Sequence, residues 1–274
     1  MKEFDFDVLS VKVGSSMLVT ETEAGSKKVD ERAFRRIGQQ LVQFADSGIA
    51  VVTTTSGAMA MGQYITGSTE QFDRKRAEDW SQLQRFANIG WQFVLERWRH
   101  AVCHDNRAIG AMLLTRNDLD EGTETRNEAL RVVGQHISHG DMLFVNENDG
   151  VAHDEIAFGD NDILGAIFAA QITRTLGLRV KHISLTETNG IYATYTGVED
   201  DSSRIAVIDD IEAAEHVIAA AGNGFGDQGM AARFEGAKIL RAVGAEMYVG
   251  SGRAENAIAE TLRGNMGTRF AVTA

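Results

Sequence analysis

"MLFVNENDGVAHDEIAFGDNDILGAIFAAQITRTLGLRVKHISLTE", residues 142–187, contains two apolar runs typical of buried strands, with one helical segment between them. The helical pattern over 161–177 ends at Gly177, a residue type that readily adopts the left-handed conformation found after a helix. A strand, a helix and a second strand in this order form a crossover, which places the two strands parallel in one sheet. The sequence therefore predicts an α/β fold built around a parallel sheet.

The rest of the chain repeats this alternation. Strands are predicted within 6–14, 48–56, 108–115, 203–209 and 245–252, and helices over 30–47, 70–103, 123–138, 211–220 and from 230 onward. Strands joined through helices indicate a mainly parallel central sheet that is covered on both faces. Ligand sites in such sheets lie at the carboxyl ends of the strands. A chain of 274 residues fits one domain, within which we expect a lobe boundary at 175–178.

Composition narrows the class of protein. The net charge of −12 argues against a nucleic-acid partner, because phosphate contacts need clustered Lys and Arg. No apolar run approaches the length of a membrane helix, and no signal-peptide pattern opens the chain. A lone cysteine, Cys103, excludes an internal disulfide. We therefore expect a cytoplasmic protein that has no membrane partner.

Two strand ends carry small polar residues. Lys12 ends the first predicted strand and is followed by Gly14 and Ser15, a turn that either cradles phosphate or is an ordinary turn with a solvated lysine. Ser56 and Gly57 follow the second strand. Their small size permits either close approach to a ligand or tight packing of a helix on the sheet. Spacing alone leaves both alternatives open.

An acid-rich stretch separates the two strands of the opening segment. Asn146 and Asp149 follow one strand, while Asp160, Asn161 and Asp162 begin the helix. Helix capping explains one or two of these residues but not the whole set. An ammonium group on a ligand, or neighbouring cations, would explain the others.

A glycine-rich segment over 222–229 precedes the helix that carries Arg233. Such a segment either binds phosphate at the helix N-terminus or forms a mobile surface loop. The tryptophans at 80, 91 and 98 fall near one stripe of the long helix. They indicate a core or a subunit interface rather than a binding cage.

Taken in order, these segments resemble the glutamate 5-kinases of the amino-acid kinase family. The matching stretches are "VKVGSSML", "VVTTTSGAMAMG", "AMLLTRND", "LFVNENDGVA", "EIAFGDNDILGA", "LTETNGIY", "GFGDQGMAAR" and the terminal "GTRF". The resemblance implies a three-layer α/β/α sandwich forming a single domain over 1–274. The acceptor-binding lobe is expected over about 1–176 and the nucleotide-binding lobe over about 177–274. The implied reaction is phosphoryl transfer from ATP, with Mg²⁺, to the side-chain carboxylate of L-glutamate in proline biosynthesis.

The resemblance also implies roles for individual residues. Lys12 would contact the transferring phosphoryl group, Asp162 would organise the catalytic cations, and Arg233 would add positive charge. The residues implied to bind glutamate are Ser56, Gly57, Asn146, Asp149 and Asn161. Those implied to bind the nucleotide are Lys12, Gly14, Ser15, Thr186, Glu187, Gly226, Asp227, Gln228, Gly229, Met230 and Arg233. The metal ligands are left unassigned.

Departures from the family pattern concern the nucleotide side. "GDQGMAAR" stands where the family has Gly-Thr-Gly-Gly-Met-x-Thr-Lys, and Glu187 replaces the usual aspartate. Two alternatives stay open: a kinase of another small acid such as N-acetylglutamate, and a non-catalytic glutamate-binding or regulatory homologue. The resemblance covers the kinase domain, without the PUA domain that many relatives carry. It also implies a homo-oligomer, a dimer or a tetramer, that hands its product to glutamyl phosphate reductase.

Overall fold

A computed structural model describes residues 3–22, 25–72, 76–103, 107–152, 161–195, 197–220 and 228–272. Its strands are β1 (Val8–Val13), β2 (Val19–Glu21), β3 (Lys27–Val29), β4 (Ala50–Thr55), β5 (Ile109–Leu114), β6 (Met142–Glu147), β7 (Val180–Thr186), β8 (Val207–Ile208), β9 (Glu246–Ser251) and β10 (Thr268–Phe270). Its helices are α1 (Ser15–Leu18), α2 (Glu31–Asp46), α3 (Ala58–Thr66), α4 (Ala77–Val102), α5 (Glu124–His139), α6 (Asn161–Leu176), α7 (Ile211–Ala220), α8 (Gln228–Arg241) and α9 (Ala257–Leu262).

The central sheet runs in the order β5-β6-β4-β1-β7-β9-β10-β8. All pairs from β5 through β9 are parallel, whereas β10 pairs antiparallel with β9 and parallel with β8. The predicted mainly parallel sheet is therefore confirmed. Because β1 lies between β4 and β7, the carboxyl ends of these three strands meet at the centre of one sheet edge.

Alternate residues of the strands build two separate cores. Leu9 and Val11 of β1 belong to a core that contains Phe34 of α2 and Trp98 of α4. Val8, one residue away, belongs to the opposite core, whose buried residues come largely from α5, α6 and α8. This period of two places helices on both faces of the sheet. The expected three-layer α/β/α arrangement is confirmed.

Most predicted elements agree with the structure, but the long helix was predicted to begin too early. It starts at Ala77, whereas the prediction placed its start near Glu70. α3 ends at Thr66 and is capped by Gly67, which adopts φ +65° in the left-handed region. Residues 68–72 that follow are not helical. Glu78 and Asp79 lie in the first turn of α4, where negative side chains favour the positive end of a helix.

Two further details were not predicted. Ser15 does not lie in a plain turn but begins the short helix α1, for which Gly14 is the N-cap. The polar segment after it forms the hairpin of β2 and β3, which pairs Val19 with Val29.

In the described part of the chain, no helix is long and apolar enough to cross a membrane.

Candidate active site

A buried ion pair lies at the centre of the sheet edge. Lys12, near the end of β1, directs its Nζ atom to Oδ2 of Asp162 on α6. The other carboxylate oxygen, Oδ1, accepts a hydrogen bond of 2.7 Å from the hydroxyl of Ser184 on β7. The Lys12 and Asp162 side chains are only 8% and 7% exposed. Burial opposes ionisation of Asp162, but the charges of Lys12 and Arg233 and the two hydrogen bonds outweigh it and lower the pKa of this carboxyl.

A histidine lies below this pair on the same face of the sheet. The register pairs Lys12 with Ser184, and two residues earlier it pairs Ser10 with His182. The His182 ring is completely buried, and its Nδ1 atom lies 2.9 Å from the Ser10 hydroxyl. Burial lowers the pKa of His182 to about 4, although the charge of Asp162 acts in the opposite direction. His182 is therefore neutral at pH 7.

A small polar pocket lies on one side of the pair. Its volume is about 70 Å³, and it is lined by Ser15, Ser56, Gly57, Ala58, Met59, Ala60, Glu147, Asp149 and Asn161. Gly57 joins β4 to α3 with φ +104°, a conformation that side chains other than glycine's rarely adopt. It thereby turns the first residues of α3 toward the pocket. Two carboxylates, Glu147 and Asp149, give this pocket the charge needed to bind an ammonium group.

A larger crevice of about 460 Å³ adjoins the pocket and shares Ser15 and Ser56 with it. Its other lining residues are Lys12, Gly14, Ser16, Asp162, Leu185, Thr186, Glu187, Thr188, Gly190, Tyr192, Tyr195, Gly229, Met230 and Arg233. Cationic side chains thus line the same cavity as an aromatic pair. The rings of Tyr192 and Tyr195 lie 5.7 Å apart, and the Tyr192 hydroxyl donates to Glu199 at 3.0 Å. A chain of phosphates with an aromatic base at its end matches this combination.

The first two residues of α6 face different cavities. Asn161 lines the small pocket, whereas Asp162 lines the crevice. Asn161 also fixes the start of the helix to the end of β6, since its amide donates to Oδ1 of Asn146 at 3.2 Å and accepts from the backbone N–H of Glu147. Asn146 itself lines a neighbouring cavity of about 80 Å³, which shares Glu147 and Asp149 with the small pocket. The small pocket and the crevice are therefore lined by neighbouring residues of the same helix turn.

Arg233 is the second positive charge in the crevice. Its charge favours the ionised form of Asp162, and among the described residues its buried Nε atom has no hydrogen-bond partner. A guanidinium group that lines the crevice and has an unsatisfied donor suits an anionic ligand there. Glu187 is turned to Arg253, which it meets at 2.6 Å, while the Thr186 hydroxyl donates to the Thr188 carbonyl oxygen at 2.8 Å.

The other residues of the implied nucleotide site divide into two groups. Gly229 and Met230 line the crevice. Gly226 and Asp227 lie outside the described residues, and Gln228 is placed only as the first residue of α8. Their roles, like those of the other implied site residues, stay predictions.

Several residues of the site were not predicted from sequence. Glu147 is the clearest omission, because it ends β6 between Asn146 and Asp149 and is 3% exposed. The strand position of Ser184 gave no signal until the register with Lys12 was known. The sequence predicts no role for Tyr192 and Tyr195, because they lie in a polar loop with no periodicity.

No cluster of three or more His, Cys, Asp or Glu side chains able to hold a metal ion occurs within the described ranges. Mg²⁺ in nucleotide sites commonly rests on one or two carboxylates together with phosphate and water oxygens. Asp162, at the wall of the crevice, is the described carboxylate best placed for such a role, although it is engaged by Lys12 and Ser184.

The chain is similar in sequence to curated glutamate 5-kinases. A glutamate 5-kinase from Desulfitobacterium hafniense is 28% identical over 268 residues, covering 97% of this chain and 69% of the relative. A glutamate 5-kinase from Aliivibrio salmonicida is 29% identical over 262 residues, covering 95% of this chain and 67% of the relative. The chain thus spans about two thirds of the length of these relatives.

Solved structures share the fold at low sequence identity. An isopentenyl phosphate kinase superimposes with a TM-score of 0.60 at 14% identity, covering 96% of this chain and 100% of that one. The UMP kinase of Ureaplasma parvum gives 0.57 at 12% identity, covering 97% and 99%. The sequence pattern described as the amino acid kinase family matches residues 8–251, nearly the whole chain. The chain belongs to the amino acid kinase family.

Proposed function

We propose that this protein transfers the γ-phosphoryl group of ATP to the side-chain carboxylate of L-glutamate. The relatives named above are glutamate 5-kinases, and their similarity extends over nearly all of this chain. The observation that carries the proposal is the Lys12–Asp162 pair, which lines a crevice of about 460 Å³ beside a small acidic pocket. A carboxylate held in the pocket would face a phosphate held in the crevice.

The acceptor needs no general base. A glutamate side chain has an ordinary pKa of about 4.3, so it is already ionised at pH 7. One carboxylate oxygen forms a bond to the γ-phosphorus while the bond from this phosphorus to the bridging oxygen breaks, which yields γ-glutamyl phosphate and ADP. The neutral His182 lies beneath the pair rather than in either cavity, in keeping with a reaction that transfers no proton.

The main barrier is repulsion between two anions. Fixed positive charge at the point of transfer lowers this barrier, most of all where water is excluded. Lys12 is a buried positive charge that lines the crevice, and Asp162 with Ser184 holds its ammonium in place. Arg233 supplies a second charge from α8.

Each cavity suits one substrate. Glu147 and Asp149 in the small pocket match the α-ammonium group of an amino acid, while Ser56 and Asn161 offer hydrogen bonds to its carboxylates. An acylated amino group, as in N-acetylglutamate, carries no positive charge for these acids to bind. In the crevice, the aromatic pair Tyr192 and Tyr195 offers a surface for the nucleotide base. Mg²⁺ would enter with the phosphates, and its charge would offset theirs.

The chemistry of the product suggests its further handling. An acyl phosphate is prone to hydrolysis, so a reductase that consumes it directly, as in proline biosynthesis, would limit its loss. We also propose that the protein acts in the cytoplasm as a homo-oligomer, as its family resemblance implies.

The direct test is glutamate-dependent ADP release, with hydroxylamine added to trap the acyl phosphate as a hydroxamate. We expect Lys12→Met to reduce kcat by at least about 10³-fold, because it removes the charge at the point of transfer. Lys181→Met is the control, since Lys181 lies on the neighbouring strand β7 and pairs with Glu246 outside both cavities. Wild-type turnover of the Lys12 variant would contradict the assignment. Faster turnover of N-acetylglutamate than of glutamate would overturn the acceptor.

A further inference from the structure

Helices α3 and α4 touch backbone to backbone at two glycines. A Cβ atom built on Gly90 would lie 1.9 Å from the Ala58 carbonyl oxygen and 2.5 Å from the Gly62 nitrogen. A Cβ atom on Gly62 would lie 2.0 Å from the Phe86 carbonyl oxygen. Real Cβ atoms essentially never approach other heavy atoms closer than 3.0 Å. Glycine at both positions is therefore what allows the two helices to pack at this distance.

This contact lies directly behind the small acidic pocket. Ala58, whose carbonyl oxygen rests on Gly90, is the first residue of α3 and itself lines the pocket with Gly57, Met59 and Ala60. Ala58 and Met59 are buried in a small core together with Leu83 and Ala87 of α4. The first turn of α3 is thus held between the pocket and α4, so a shift of α4 is transmitted to the pocket wall.

The same helix also supports the opposite wall, the turn over 147–150. The Asn88 side chain packs on this turn, since a Cβ atom on Gly150 would lie 2.5 Å from its Oδ1 atom. Gln84, one helix turn earlier, donates from its amide to the Ala152 carbonyl oxygen at 3.4 Å. The turn carries Glu147 and Asp149, the two acids of the pocket. One helix therefore contacts the backbone behind both walls.

We propose that α4 sets the spacing of the acceptor pocket, with Gly90 and Asn88 as positioning residues that do not touch the substrate. The inference rests on the proposed function, because the substrate of this pocket is taken to be glutamate. Its physical content is independent of the chemistry: the distance between the Ala58 wall and the Asp149 wall depends on side-chain volume at positions 88, 90 and 150. Binding of the acceptor should respond to that volume, while binding of the nucleotide should not.

The expected effect follows from the contact distances. A methyl group on Gly90 requires the α3 backbone to move by on the order of 1 Å, because the close-packed α4 offers no space to absorb it. Displacement of a binding wall by about 1 Å can reduce kcat/KM by roughly 100-fold. For Gly90→Ala we therefore expect the KM for glutamate to rise by about 10-fold to 100-fold, with the KM for ATP within about 2-fold of wild type.

The experiment measures the KM values for glutamate and ATP by steady-state kinetics, and the binding constants of both by calorimetry, for five variants. Gly90→Ala is compared with Gly134→Ala, a matched control on α5, where a Cβ atom would lie 3.8 Å from its nearest neighbour, Leu176. Gly150→Ala is compared with the double variant Gly150→Ala/Asn88→Ala, in which the crowding group is removed. We expect Gly150→Ala to weaken glutamate binding and the double variant to recover it to the level of Asn88→Ala.

The outcomes separate the two proposals. If wild-type protein turns over no glutamate, the proposed function fails. If wild type is active but folded Gly90→Ala and Gly150→Ala bind glutamate normally, the inference about α4 is overturned. Equal weakening of glutamate and ATP would also overturn it, as general loosening of the fold would explain that result. Should Gly90→Ala fail to fold, the Gly150 and Asn88 comparison decides alone.

Discussion

Lowering the pH should reveal the buried His182 as a source of acid sensitivity. The ring is completely buried, and its strand position pairs with Ser10, two residues before Lys12 on β1. Its Nδ1 atom forms a hydrogen bond with the Ser10 hydroxyl. In the unfolded chain its pKa returns to about 6.5, whereas burial lowers the pKa to about 4 in the folded protein. Between these two values the unfolded state binds a proton that the folded state does not.

The sign and size of the effect follow from linkage. Because the pKa of His182 is lowered in the folded state, the free energy of unfolding has its full value with respect to this group above about pH 6.5. It falls as the pH drops toward 4. With these two pKa values, moving from pH 7.5 to pH 5.0 removes about 2 kcal/mol from the free energy of unfolding. The full loss, below pH 4, approaches about 3 kcal/mol.

Urea denaturation followed by circular dichroism at the two pH values measures this loss. His182→Asn keeps a polar atom near the Ser10 hydroxyl but cannot titrate, so the pH-dependent loss should shrink by about 2 kcal/mol even though the variant is less stable at both pH values. The exposed His139→Asn serves as a control for histidine content. A pH dependence in His182→Asn as large as in wild type would refute the reasoning.

Three other perturbations test the site. Asp162→Asn should lower the free energy of unfolding by about 3–5 kcal/mol, because it leaves the Lys12 charge buried without a counterion; a thermal melt unchanged from wild type would contradict this. Tyr195→Ala should raise the KM for ATP by about 10-fold through loss of base stacking, while Tyr195→Phe stays near wild type in the same kinetic assay. Gly57→Ala should lower the free energy of unfolding by about 1–3 kcal/mol, because alanine is strained at φ +104°. A Gly57→Ala variant with the thermal stability and the glutamate KM of wild type would refute the role of this turn.

The main outline of the fold could be predicted because it depends on local patterns. The apolar runs of β1, β4, β6 and β7 and the helix ending at Gly177 are visible in the sequence, and the structure has them. The start of α4 was misjudged because residues 70–76 contain no proline or glycine to mark a boundary. The hairpin of β2 and β3 was missed since three-residue strands carry too little alternation to detect.

The site was harder to predict because it depends on contacts between distant residues. Lys12 and Asp162 are separated by 150 positions in the chain, and only their resemblance to family motifs linked them. Ser184 and His182 lie inside an apolar strand, where nothing marks a polar side chain as functional. The glycine contact between α3 and α4 depends on how two helices cross, and a one-dimensional pattern carries no such information.

The adjacency of Asn161 and Asp162 at the start of α6 constrains how new specificities could evolve on this scaffold. Asn161 lines the pocket proposed for the acceptor, and Asp162 lines the crevice proposed for the nucleotide. Under this proposal, rotating or shifting the helix to suit a different acid would also misalign the phosphate. Natural or engineered changes of acceptor should therefore accumulate on α3 and in the turn after β6. Side chains there can be exchanged without moving Lys12 and Asp162 in the crevice.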